Sequence, residues 1–295
     1  MATQVARLAA MHSSRTMSRT MSRTVRAVAA QGTLLASQWP PHQSSVLRPV
    51  STSSALANAD DAAAADKRTF EIVRLVQKDK PKVLEFLRKF FYHDEPLNTA
   101  IGLRPDVRCP TLEEFSLSTF DEGISVGAVA GDGSLVGVCI NATLTREEDE
   151  ENRRECEEGA DDVPEDVKAL EDPDAKFAQI KRMLSHATAQ GDVFGHGPPG
   201  LDRLFDIFIL SVDSSWRGKG IATKLLDESR EIAQADGHRL IRIVCSSFVS
   251  ALIASRMGYR CIAKLDYKTV LDRKGQRIFP TEPPHDAVTT YVLDI

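Results

Sequence analysis

The chain has 295 residues, 42% of them apolar and 27% charged, with a formal net charge of −5. That composition is ordinary for a soluble globular protein, and the net negative charge gives no global reason to expect nucleic acid as a partner. No apolar run approaches the length that spans a bilayer, and the five cysteines (Cys109, Cys139, Cys156, Cys245, Cys261) are scattered, odd in number and without CxxC spacing. They argue against a disulfide framework or a zinc site and fit a reducing compartment.

Residues 1–59 stand apart in composition. They hold six arginines (Arg7, Arg15, Arg19, Arg23, Arg26, Arg48), no lysine, and no acidic residue before Asp60, and they contain the small repeat RTMSRTMSRT. On a helical wheel Met17, Met21, Val25 and Val28 share one face and Arg15, Arg19, Arg23 and Arg26 the other. An Arg-rich, Ser-rich, acid-free amphipathic segment reads as a mitochondrial transit peptide. The plainer reading is a basic tail, or an upstream extension that is not always translated, since Met11, Met17 and Met21 offer later starts. All 42 acidic residues then fall in the remainder, and an acidic body suits small cationic substrates better than nucleic acid. Residues 60–69 read as an Ala- and Asp-rich linker, and the folded domain is expected over 70–295.

Residues 70–76 alternate well enough for a first strand. Lys80-Pro81 opens a helix with proline where it is tolerated, and Val83, Leu84, Leu87, Phe90 and Phe91 supply its apolar face. Pro96 disfavours a helical Glu95 and allows a new helix beyond it. Asp94 and Glu95 therefore sit at a helix–helix joint. They read either as caps of the following helix or as a carboxylate pair whose repulsion raises one pKa and makes a base for an alkylammonium ion. Residues 102–124 are irregular, with a short helix at 112–119. Asp132-Gly133 then turns a hairpin between strands at 125–130 and 135–144. Residues 147–162 carry ten carboxylates; their spacing fits no calcium loop, and a solvated acidic loop is expected. A helix over 175–190 buries Phe177, Ile180, Met183 and Leu184. Together the stretch 147–200 reads as an insertion ahead of the central strand, placed to shape a substrate pocket.

Residues 204–212 form a nearly continuous apolar run, as a strand buried on both faces should. Turn formers follow, then Arg217-Gly218-Lys219-Gly220-Ile221-Ala222, and from Ile221 a helix with Leu225, Leu226 and Ile232 on one face. Glycines admit a ligand close to the backbone, and the first helical amides with the helix dipole favour an anion. A turn that binds nothing is the alternative. No GxxxxGK(S/T) and no GxGxxG is present, so neither an ATPase phosphate loop nor a dinucleotide fold is indicated. A second buried strand covers 240–245. Ser246, Ser247 and Ser250 after it read as helix caps or as hydroxyls facing a cleft beside the central strand. Strands at 259–270 and 287–295 close the chain, joined through an Asp272-Arg273-Lys274-Gly275 turn and Pro283-Pro284-His285.

Arg217-Gly218-Lys219-Gly220-Ile221-Ala222 resembles the acyl-CoA signature Q/R-x-x-G-x-G/A of the GNAT superfamily of N-acetyltransferases. His93-Asp94-Glu95-Pro96-Leu97-Asn98 is similar to the DEPLN motif of the insect arylalkylamine N-acetyltransferases, Cys245-Ser246-Ser247-Phe248-Val249-Ser250-Ala251 to their CSSxxSA stretch, and Pro283-Pro284-His285 to their PPH segment. The three insect-family motifs occur in the family's order across 70–295. The resemblance implies a single α/β domain of GNAT type, with a mixed, mainly antiparallel sheet flanked by helices. It implies acetyl transfer from acetyl-CoA, as cosubstrate, to an arylalkylamine such as dopamine, tyramine, octopamine or serotonin. Glu95 is then the general base acting through water. Ser246 and Ser250 take catalytic or cofactor-adjacent roles, and His285 is placed near the amine. Leu210, Ser211, Val212 and the stretch Arg217, Gly218, Lys219, Gly220, Ile221 and Ala222 hold the cofactor, and no metal is implied. One position departs from the wider superfamily: where many members carry a tyrosine that protonates the leaving thiolate, this chain has Ala254, which leaves Ser250 as the nearest candidate. Other readings are an acyltransferase for polyamines or agmatine, with a carboxylate-lined pocket, and a non-catalytic acyl-CoA-binding protein. The resemblance suggests cytosol where the N-terminal segment suggests mitochondria; the oligomeric state is left open.

Overall fold

In the computed structural model, which describes residues 69–103, 108–158 and 163–295, seven strands form one mixed sheet in the order β1-β2-β3-β4-β5-β7-β6. They are β1 (Phe70–Arg74), β2 (Val126–Ala130), β3 (Leu135–Thr145), β4 (Arg203–Val212), β5 (Leu240–Cys245), β6 (Arg260–Asp266) and β7 (Ala287–Asp294). Every neighbouring pair is antiparallel except β4 with β5. This is the mixed, mainly antiparallel sheet flanked by helices that the resemblance implies. Residues 1–59, with the repeat and its arginines, lie outside the described residues.

The helices are α1 (Lys80–Phe86), continued by a π-helical turn (Leu87–Phe91) and one further turn (Tyr92–Asp94); α2 (Pro96–Ala100); α3 (Pro110–Ser116); α4 (Arg146–Glu158); α5 (Pro173–Ala189); α6 (Ile221–Ala235); and α7 (Phe248–Arg256). On one face of the sheet α6 buries Ile221, Leu225, Leu226 and Ile232 with Phe205, Ile207, Ile241 and Ile243. On the other, α1, α2 and α5 bury Val83, Leu87, Leu97, Phe177 and Ile180 with Val138, Ile140, Ile209 and Val288. Gly137 on β3 lets α6 come close: a Cβ there would stand 2.8 Å from Ile221 Cγ2.

The parallel pair is what opens the sheet. β4 and β5 pair only from Phe205–Ile241 to Ile207–Ile243. Beyond that, β4 stays paired to β3 as far as Val212, and β5 to β7 as far as Cys245. The two central strands therefore diverge at their C-terminal ends, and the β5-facing edge of 208–212 gains no strand partner. Below the divergence Arg242 meets Asp206 through two hydrogen bonds of 2.9 and 2.8 Å, both side chains buried.

Three expectations change. The acidic run, as far as Glu158, is a helix and not a solvated loop. Thr145 and Glu148 form a capping box at its start, with Thr145 N donating to Glu148 Oε2 (2.9 Å) and Glu148 N to Thr145 Oγ1 (3.2 Å). Asp149 on its inner face is buried between Arg153 (3.0 Å) and Arg242 (3.6 Å). The strand expected over 259–270 stops at Asp266 and turns into a 3₁₀ segment, Tyr267–Thr269. The first strand likewise ends at Arg74 rather than Val76.

The long β6–β7 connection docks on the segment that precedes α5. Asp272, 5% exposed, accepts hydrogen bonds from Lys274 N (2.9 Å) and Gln276 N (2.8 Å) in its own turn, and from Val167 N at 3.5 Å. Arg273 N donates to Pro164 O (3.2 Å), and Lys274 pairs with Asp166 (2.9 Å).

Candidate active site

The α1–α2 joint is the backbone break that Pro96 predicts. Glu95 is extended (φ −72°, ψ 120°) and is the N-cap of α2, its Oε2 accepting from Asn98 N at 2.6 Å. Capping by one oxygen leaves the other uncommitted, because a carboxyl group has two. Oε1 is buried and finds no partner among the described residues, and neither does Asn98 Nδ2. Glu95 is 8% exposed. Burial raises its pKa above the usual carboxylate range, while the Asn98 amide, the Ser246 hydroxyl and the Leu97 amide draw it back. Ser246 faces the carboxyl in this way without closing a hydrogen bond to Oε1.

Burial, and not repulsion from Asp94, is therefore the cause of the shift. Asp94 is turned away: its carboxylate pairs with the Arg217 guanidinium, whose Nε also reaches Val212 O at 3.4 Å. The joint and the glycine loop, 123 residues apart, meet in this pair.

At the loop, Gly218 (φ 76°) and Gly220 (φ 78°) occupy the left-handed region, and a Cβ at either would meet nothing within 4 Å. Gly220 is the N-cap of α6 and offers no side-chain acceptor to the first helical amides. Those of Ile221 and Ala222 point outward with the positive end of the helix dipole. Lys219 lies over the Trp216 ring at 4.0 Å. Leu210, Ser211 and Val212 line the divergent edge of β4. A backbone edge leading to a glycine-lined helix start suits the amides and phosphates of an acyl-CoA.

Past β5, Ser247 caps α7, its Oγ accepting from Ser250 N at 3.1 Å. The Ser250 hydroxyl donates to Ser247 O (2.9 Å) and also touches the Cys245 thiol. The structure thus brings Ser246 to Glu95 and keeps Ser250 within the first turn of α7. Burial pushes the Cys245 thiol up to about 12, so it is held as a thiol and not as a nucleophile. His285 reaches the same turn from the β6–β7 connection, its Nδ1 accepting from Phe248 N at 3.2 Å. Sequence reasoning missed the Asp94–Arg217 pair and also Tyr267, whose hydroxyl donates to Ser246 O at 2.6 Å. Burial raises the Tyr267 pKa, with the Glu95 charge adding to it.

No protein-family model matches the chain. Among solved structures, arylalkylamine N-acetyltransferase 2 from Aedes aegypti is 32% identical, with a TM-score of 0.67, over 77% of this chain and 99% of that one. The chain belongs to the GNAT N-acetyltransferases. It is an acyl-CoA-dependent enzyme of that family, resembling the insect arylalkylamine branch. Drosophila melanogaster polyamine N-acetyltransferase, which catalyses the formation of N-acetylagmatine, is 25% identical over 77% of this chain and all of that one, with a TM-score of 0.64. A mosquito arylalkylamine N-acetyltransferase-like 5b shares the fold at 22% identity and the same TM-score and coverage. In this acetyltransferase no group of three or more His, Cys, Asp or Glu is placed to hold a metal, and no helix is long and apolar enough to cross a membrane, among the described residues.

Proposed function

We propose that this N-acetyltransferase moves the acetyl group of acetyl-CoA onto the primary amine of an arylalkylamine of the dopamine, tyramine, octopamine or serotonin class. The observation that carries the reading is the Glu95 carboxyl: buried, raised in pKa by that burial, with one oxygen tied to α2 and the other without a partner. Amines of this class hold their proton with a pKa of about 10, near that of lysine. Glu95 takes that proton, through water, and the free amine attacks the thioester carbonyl directly. The β4 edge at 209–212 orients the thioester and its amides polarise the carbonyl. The glycine loop and Lys219 hold the pyrophosphate, together with Arg217, which is shared with Asp94. Ser246 supports the ionised form of Glu95.

Two features of the acceptor side support an aromatic amine. Phe115 packs on Phe208 (4.9 Å between ring centres) and Phe177 (5.4 Å) in the cluster that holds Leu97 and Tyr267. The buried carboxylate of α3, Glu113, is also occupied, bound bidentately by Arg88 at 2.8 Å. The likeness to a polyamine N-acetyltransferase supports a second reading, transfer to agmatine or a polyamine. Free-thiol release from acetyl-CoA with tyramine, dopamine, serotonin, agmatine and spermidine separates them. Turnover confined to the aromatic amines is expected. Turnover of the aliphatic ones alone would overturn the substrate class, and acetyl-CoA binding with no turnover would leave an acyl-CoA-binding protein.

We also propose mitochondrial import, on the segregation of arginine and apolar residues within 1–59. Tagged full chain and a chain beginning after Asp60 should distribute differently; the same cytosolic pattern for both would overturn it.

A further inference from the structure

Tyr267 belongs to none of the motifs, yet its hydroxyl bonds a residue that does, Ser246. It opens the 3₁₀ turn after β6 and is 2% exposed, and its ring stands 6.5 Å from that of Phe279. Its amide donates to Asp286 O at 3.0 Å, so the residue is anchored at the base as well as through the ring. The hydroxyl spans the gap to the β5–α7 turn and donates to Ser246 O at 2.6 Å. Ser246 is the residue between the last paired position of β5, Cys245 with Thr289, and the N-cap of α7, Ser247. Its orientation is set by neither ladder nor helix.

We propose that Tyr267 is a positioning residue for the base: its hydroxyl fixes the Ser246 peptide so that the Ser246 side chain faces the Glu95 carboxyl. The inference rests on the reading of Glu95 as the base. A phenol suits this task because it donates at every working pH; with Glu95 beside it and the phenol buried, ionisation of Tyr267 is disfavoured. The consequence runs through Ser246. Its hydroxyl supports the ionised form of Glu95, so a Ser246 free to rotate leaves the carboxyl more readily protonated. Other titratable groups near this point among the described residues are Asp94 and Arg217, which are paired at the neighbouring residue, Cys245 below Ser246, His285 at the start of α7, and, on the outer side of Tyr267, Asp266, Lys268, Arg277 and Asp286. None of them contacts the Tyr267 hydroxyl in place of Ser246 O.

The test uses the full chain as wild type, Tyr267→Phe, Ser246→Ala and the double variant. Ionisation of Glu95 is followed by difference infrared spectroscopy of its carboxyl stretch, with Glu95→Gln as the blank. Turnover is measured with acetyl-CoA and either tyramine or agmatine. Tyr267→Phe keeps the ring and its packing against Phe279. It is expected to move the Glu95 midpoint to higher pH, in the same direction as Ser246→Ala, and to add nothing in the double variant. The same shift lowers kcat about tenfold for each pH unit below the new midpoint, with recovery at high pH and an unchanged KM for acetyl-CoA. An unmoved midpoint with reduced thermal stability would make Tyr267 merely structural and overturn the proposal, as would shifts that add in the double variant. Should Tyr267→Phe fail to fold, an unmoved midpoint in Ser246→Ala overturns it equally. A moved midpoint in a protein that acetylates neither amine would uphold the link and sink the base assignment beneath it.

Discussion

On the α6 side of the β4–β5 opening the atoms suited to a ligand are backbone atoms: the unpaired edge of 208–212, Gly218, Gly220 and the first amides of α6. On the α1–α2 side they are side chains: the Glu95 carboxyl, the Ser246 hydroxyl and, behind them, Tyr267. The first set comes from one continuous stretch of chain. The second comes from three segments that only the fold brings together. A backbone site needs residues that do not obstruct, chiefly glycine; a side-chain site needs burial and a specific orientation for each group. The two sides should therefore fail differently when altered.

The largest effect is expected from Glu95→Gln. Glutamine can still cap α2 through its oxygen, so acetyl-CoA binding by calorimetry should be retained, while kcat/KM at neutral pH falls by about 10²- to 10⁴-fold. A matching loss of cofactor affinity would show that the two sides are not separable. Next comes Asp206→Ala below the opening, which leaves a buried Arg242 with only the longer contact to Asp149, 3.6 Å, and is expected to cost about 3 kcal/mol, the lower end for breaking a buried pair, in denaturant unfolding. Both sides should lose function together there, because that pair underlies both. Gly220→Ala forces a side chain into φ 78° at a cost of roughly 1–2 kcal/mol. It should raise KM for acetyl-CoA with little change in kcat; a fall in kcat alone would blur the distinction.

The smallest effect lies outside both sides. Burial raises the Glu122 pKa to about 7, against a hydrogen bond from Thr143 N. A carboxyl whose pKa is raised on folding contributes stability that is complete below its unfolded pKa and lost as pH rises through about 7. Glu122→Gln should therefore gain on the wild type between pH 5 and 8, by on the order of 1 kcal/mol, with kinetics unchanged at fixed pH. A melting-temperature difference that is flat with pH would contradict this.

The same contrast explains what could be read from the sequence. The strand–loop–helix at 203–235 was legible because its apolar run, glycines and helical period are consecutive. Glu95 was legible because Pro96 marks the backbone break that creates its cap. The cause of its raised pKa was not: Asp94 is adjacent in sequence, but in space it belongs to Arg217. The acidic run misled because its charge density hid both a capping box at Thr145–Glu148 and an inward Asp149 matched by Arg242, 93 positions on. Tyr267 was invisible because its partner lies 21 residues back across the sheet, and no local pattern marks a hydroxyl aimed at a carbonyl.

The buried Asp272 turn bears on how this enzyme can be re-engineered. Its bond to Val167, with those of Arg273 to Pro164 and Lys274 to Asp166, joins stretches about a hundred residues apart. A chimera that imports only one stretch from a relative would lose the Lys274–Asp166 pair and the fit of the Val167 amide over the buried Asp272. Exchanged as a matched set, the two can move as a cassette while the glycine loop and the Glu95 joint remain those of the host.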